Sequence, residues 1–253
     1  MKIVVLGGHG EFTNAVYHCI SQRYAIDKVI LEGNVSRFRM LKRRCKKIGL
    51  IKVIGQIFFK LYSDGIMKPA SASRIQQILH ENCIDTSAIP QEKIHEVNSA
   101  NSAECIQALK EISPDLVLVI GTRILSEELL TSVDSVFINM HMGITPLYRG
   151  VHGGYWALAD GDPEHCGVTV HMVDKGIDTG EIISQALISP TSSDNFVTYP
   201  YLQLIEGLKL FADAIEAFGN NRLFTQETNL MSKLRTHPTI GQYIKNYLLR
   251  GIK

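Results

Sequence analysis

The sequence predicts an α/β fold: a mostly parallel open sheet with an antiparallel strand pair late in the chain and a short C-terminal extension. Three observations support this. Short β-branched runs alternate with segments of helical spacing. One run, DLVLVIG (115–121), is apolar on both faces, as a strand covered by helices on each side must be. Two late segments, 167–174 and 181–189, alternate and can pair antiparallel.

The elements follow in order. KIVVLG (2–7) is a first strand running into glycines, and residues 12–22 have helical spacing through Phe12, Val16, Cys19 and Ile20. DKVILEG (27–33) is a second strand. A helix over 73–82, a short strand over 93–97 and an amphipathic helix over 102–112 come next, the last with Ser102 as its N-cap. After the strand at 115–121 come a short helix (126–132), a buried strand (135–141) and a helical segment (153–161). A long helical pattern fills 199–219. The last 34 residues are less periodic, so the expected division is a catalytic domain over 1–219 and an extension over 220–253.

Arg37–Lys60 stands apart, with nine Lys or Arg and no acidic residue. It falls where a strand-to-strand crossover is expected and reads as a helical insertion over about 36–70. Its apolar residues (Phe38, Leu41, Ile48, Ile51, Ile54, Phe58) fit a hairpin broken near Gly49 or Gly55. A solvated basic face, a site for a phosphate-rich ligand, and a weak contact of 37–60 with an anionic membrane surface are its three readings.

Composition narrows the class. With 45% hydrophobic and 20% charged residues and a net charge of +1, the chain has no overall bias toward nucleic acid. No run approaches the roughly 18 apolar residues of a membrane span, and the N-terminus reads as a strand rather than a signal peptide. The five cysteines are scattered, with no CxxC pair. Reduced thiols, a cytoplasmic location and no metal site are the expectation.

Two places carry chemistry. GGHGEFTN (7–14) sits between a strand and a helix, so Gly8, His9, Gly10 and Thr13 can cradle a phosphate or pyrophosphate. It departs from GxGxxG, which argues against a dinucleotide, and a plain tight turn explains it equally well. The second place is stronger. FINMHMGITPLYRG (137–150) ends a buried strand with Asn139 and His141 on one side. In VDKGIDTGEI (173–182), Gly176 and Gly180 bracket Asp178. An amide, an imidazole and a carboxylate at strand ends, with no Ser or Cys nucleophile adjoining, suit acyl transfer to an external nucleophile.

Residues 115–185, with Asn-x-His followed by Asp178 in a G-I-D-x-G loop, resemble the folate-dependent N-formyltransferases. That family includes glycinamide ribonucleotide transformylase, methionyl-tRNA formyltransferase and the sugar N-formyltransferases. The resemblance implies a Rossmann-like fold, N10-formyltetrahydrofolate as formyl donor and catalytic roles for Asn139, His141 and Asp178. It also implies that Arg123, Ile124 and Leu125, with Val173, Asp174 and Ile177, flank the pterin ring. NMHMGITP departs from the family's N-x-H-[PG]-S-L-L-P at Gly143 and Thr145, which points to an unusual acceptor pocket.

Within that family the expected acceptor is the amino group of a nucleotide-linked amino sugar, as in lipopolysaccharide biosynthesis, and a homodimer is expected. Arg149, His152, Tyr155 and Trp156 are then expected on the acceptor side, although core packing is the plainer reading of Trp156. His152 is preferred to His165, in a polar turn, and to His171, taken to point out of its strand. Glycinamide ribonucleotide is the alternative acceptor, and a formyltetrahydrofolate hydrolase or non-catalytic folate binder a further one. Transfer to tRNA is disfavoured, because 34 residues are too few for the separate C-terminal domain of the tRNA enzymes.

Overall fold

The computed structural model describes residues 1–33, 37–226, 228 and 230–253, and for 37–40, 42 and 43 the backbone only. The Phe38 side chain, expected to pack the hairpin, therefore lies outside the described residues. The elements run β1 (Ile3–Gly8), α1 (Glu11–Ser21), β2 (Ile26–Glu32), α2 (Arg37–Ile48), α3 (Leu50–Tyr62), a short α4 (Lys68–Ala70), α5 (Ala72–Glu81), β3 (Ile94–Val97), α6 (Ala103–Ile112) and β4 (Leu116–Ile120). Then come α7 (Glu127–Leu130), β5 (Val136–His141), β6 (Arg149–Gly150), α8 (Gly153–Asp160), β7 (Gly167–Met172), β8 (Ile182–Leu187), α9 (Tyr199–Gly219), β9 (Leu234–Arg235) and α10 (Ile240–Arg250).

Seven strands form one sheet in the order β3-β2-β1-β4-β5-β7-β8. The first five are mutually parallel. β7 runs antiparallel to β5 and β8 antiparallel to β7. Strand order reverses between β1 and β4, and ligands bind outside the carboxyl ends of the strands at such a switch. Alternation sorts the side chains. Ile3, Val5, Leu118, Ile138, Met140, Val168 and Val170 pack under α1 and α9. Val4, Leu6, Val117, Val119 and Phe137 pack under α6 and α7. On β5 and β7 that second face continues as Asn139, His141, Thr169 and His171. Polar residues there are what this sheet face offers once the cover of α6 and α7 ends.

The basic insertion is a helical hairpin broken at Gly49, whose φ is +85°. Gly55 instead lies within α3, where a Cβ would come within 2.9 Å of Thr239. Ser102 caps α6 by accepting from the Cys105 N–H. The tail is more ordered than its sequence suggests: α10 begins with a reciprocal Thr239–Gln242 capping box, and β9 pairs in parallel with β6.

Candidate functional site

The carboxyl ends of β1, β4 and β5 open into a cleft of about 860 Å³. Its floor is glycine-rich because two chain segments nearly touch there: a Cβ on Gly8 would stand 3.2 Å from the Gly121 carbonyl. Gly8, His9, Gly10 and Thr13 line one end. The Thr13 hydroxyl donates to the Gly8 carbonyl at 2.6 Å, so it braces the turn. Arg123, Ile124 and Leu125 also line it, as do Val173, Asp174 and Ile177.

Asn139, His141 and Asp178 meet at the far end. β5 delivers Asn139 and His141 from alternate positions. Asp178 comes from the β7–β8 loop, where it holds a left-handed φ of +50°. That loop is tied by Asp174, which accepts from the Gly176 N–H at 3.0 Å and from the Thr179 hydroxyl at 2.8 Å. Gly180 must lack a side chain, since a Cβ would lie 1.7 Å from the Met172 carbonyl oxygen.

His141 Nε2 donates to the Tyr148 carbonyl at 2.8 Å, and Nδ1 faces Asp178 Oδ2 at 3.4 Å. Both nitrogens thus face oxygen acceptors. Asp178 Oδ2 also accepts the Gly150 N–H at 2.8 Å. Asn139 Nδ2 donates to His171 Nε2 at 3.0 Å, while His171 Nδ1 donates to the Met172 carbonyl at 2.7 Å. Burial lowers the His171 pKa, so the neutral ring with its proton on Nδ1 is favoured.

Residues 1–199 match the Formyl transferase family. The chain belongs to the formyl transferase family. A methionyl-tRNA formyltransferase of Caldanaerobacter subterraneus is 30% identical over 128 residues, 50% of this chain and 41% of that protein. The chain thus matches about two fifths of that relative's length. Glycinamide ribonucleotide transformylase 1 of Symbiobacterium toebii superposes with a TM-score of 0.58 at 21% identity, covering 93% of this chain and 94% of the other. The Helicobacter canadensis N-formyltransferase, solved with folinic acid and dTDP-3-aminofucose, gives 0.54 at 19% identity, covering 93% and 71%.

Several sequence expectations about this candidate site need correction. Tyr155 and Trp156 do not line the cleft: both are buried in the cluster of α8 with Phe59, Phe196 and Tyr243. Trp156 Nε1 donates to the Thr236 carbonyl at 2.9 Å, which makes it a core residue. Arg149 is not among the cleft-lining residues; it donates to the carbonyl of Ile177, which is. His152 reaches the cleft rim, but its Nε2 is bound to His237 Nδ1 at 2.8 Å. Gly143 and Thr145 lie behind His141 rather than in the cleft; a Cβ on Gly143 would come within 2.5 Å of the Tyr148 carbonyl.

His171 does not point out of its strand into solvent. It is 3% exposed and lies on the site face, directly across the ladder from Asn139. The cross-strand register was the signal that could have found it. Glu32 was also missed. Its buried carboxylate accepts the Arg123 N–H at 2.7 Å and the Ala100 N–H at 3.1 Å, fixing the 121–125 loop.

Proposed function

We propose that this protein transfers the formyl group of N10-formyltetrahydrofolate to a primary amine, with the amino group of a nucleotide-linked amino sugar as the acceptor. The observation that carries the reading is the convergence of Asn139, His141 and Asp178 in a cleft also lined by 123–125 and by Val173, Asp174, Gly176 and Ile177. The fit of the donor rests on that lining: Val173 and Ile177, with Ile124 and Leu125, supply apolar surface suited to a flat heterocycle.

The donor supplies an activated formyl carbon. Asn139 keeps one amide N–H on His171 and has the second to offer the formyl oxygen. His141 Nδ1 is the ring nitrogen on the Asp178 side. Its 3.4 Å separation from Asp178 leaves its proton free to be shared with an oxygen entering from the cleft. Both donors are in place before negative charge builds on that oxygen, so they need no reorganisation when it does. Asp178 orients the imidazole and accepts, through water, the proton lost by the attacking amine. That proton then passes to the folate nitrogen as it leaves.

A second reading, transfer to methionyl-tRNA, is favoured by the 30% identity to the Caldanaerobacter enzyme. The test is incubation with N10-formyltetrahydrofolate and an amine panel: dTDP-, UDP- and GDP-linked amino sugars, glycinamide ribonucleotide and methionyl-tRNA. The product is read by mass. Gain of one formyl group on a nucleotide sugar is the expected result, and formylation of methionyl-tRNA alone overturns the acceptor.

A further inference from the structure

Away from the cleft, α3 carries two apolar stripes. Val53 and Phe59 are buried. Leu50, Ile51, Ile54, Phe58 and Leu61 recur at helical spacing on the opposite side and stand in solvent, with Ile51 87% and Leu61 64% exposed. α10 lies alongside: Thr239 packs on Gly55, and the Tyr243 and Phe59 ring centres are 5.0 Å apart. It too turns Ile244, Tyr247 and Leu248 outward. A helix that already buries one face gains nothing in the fold from a second apolar face, and such patches mark interaction sites.

Charge singles out the same two segments. Residues 37–60 and 228–253 hold fourteen of the 26 Lys and Arg and none of the 25 Asp and Glu. The remainder carries twelve cations against 25 anions. A chain of net charge +1 is therefore strongly polarised. Lys46 and Lys47 of α2, Lys52 of α3 and Lys245 of α10 are exposed, and Lys52 lines one groove with Leu50 and Ile51.

We propose that the α3–α10 face is a peripheral docking surface for an anionic lipid bilayer. The aliphatic side chains enter the boundary between headgroups and acyl chains, and the lysines pair with lipid phosphates. Charge complementarity selects this occupant. A second copy docked face to face would oppose two cationic surfaces. A nucleic acid satisfies the lysines, but its phosphodiester offers the aliphatic stripe no partner. The inference is independent of which amine the cleft formylates.

The test is co-sedimentation of the full chain with vesicles of phosphatidylcholine alone and of phosphatidylcholine with phosphatidylglycerol, at about 0.05 M and 0.5 M salt. Binding to the anionic vesicles that weakens at high salt is expected. Lys46→Gln/Lys47→Gln/Lys52→Gln together lower the partition constant on the order of 100-fold, at about fivefold per lysine. Ile51→Ser/Leu61→Ser lowers it at least about tenfold, with circular dichroism confirming that each variant is folded. Equal binding to both vesicle types, or none, overturns the proposal, as does full binding by the serine variant. Sedimentation velocity showing a dimer that the serine substitutions dissociate reassigns the face to a second copy. Transfer RNA binding that needs the lysines but not Ile51 and Leu61, without vesicle binding, reassigns it to nucleic acid.

Discussion

Replacing His171 by Leu removes the acceptor that orients Asn139 while keeping a buried side chain of comparable bulk. In the structure the Asn139 amide is held by one bond, Nδ2 to His171 Nε2 at 3.0 Å. Losing a neutral hydrogen bond costs about 1 kcal/mol, or roughly fivefold in rate, if the amide merely loosens. If it rotates and presents its oxygen to the developing negative charge, a whole donor is lost, about 3 kcal/mol or on the order of 100-fold. kcat should therefore fall between about 5- and 100-fold, with KM for the folate donor little changed. His171→Gln, whose Oε1 can accept from Asn139, should recover most of the loss. The assay is steady-state formyl transfer with both variants. A Leu variant within about twofold of the parent, or a Gln variant as impaired as Leu, refutes the orienting role.

Three further outcomes are expected. Asp178→Asn should lower kcat at least about 100-fold while leaving donor binding, read by equilibrium fluorescence, nearly intact. Gly150→Ala should lower both kcat and Tm. Gly150 has a φ of +95°, a Cβ there would stand 2.2 Å from the Arg235 carbonyl, and its N–H holds Asp178. An Ala variant with unchanged Tm would mean that the β6–β9 contact is not kept in solution. Burial, reinforced by neighbouring cations, lowers His152 to about 3 and His237 to about 4. Their folded pKa values lie below the usual histidine value, so the unfolded chain binds more protons between about pH 4 and 6.5. Stability should be full above that window and fall as pH drops through it. The loss should reach about 2 kcal/mol per histidine at pH 5, and chemical denaturation of His152→Asn/His237→Asn should show a flatter profile.

The strands were legible because a parallel sheet covered on both faces needs continuous apolar runs, and KIVVLG and DLVLVIG supply them. Asn139, His141 and Asp178 were legible for the opposite reason: polar residues at strand ends have no place in a core. His171 differs from expectation because alternation by itself implies one face in core and the other in water. Here Val168 and Val170 face α9, and the other face is the cleft wall. Tyr155 and Trp156 lie on a helix apolar nearly all round, which is the pattern of a buried helix and not of a ligand wall. α10 was diluted by the irregular residues before it, and its outward apolar side chains blurred the periodicity. Thr239 followed by Gln242 was the available sign of its start. The pairing of the tail with Arg149–Gly150 joins residues 85 apart and has no local signal.

The proposed transfer of a formyl group from a folate to an amine at Asn139, His141 and Asp178 is tested most directly by product stoichiometry. Tetrahydrofolate formation should be followed with and without the accepting amine, alongside the formylated product. Amine-dependent tetrahydrofolate release in equal amount to formylated amine, abolished in Asp178→Asn, is expected. Formate release at the same rate without any amine would make water the acceptor, and donor binding with no turnover on any amine would contradict catalysis altogether.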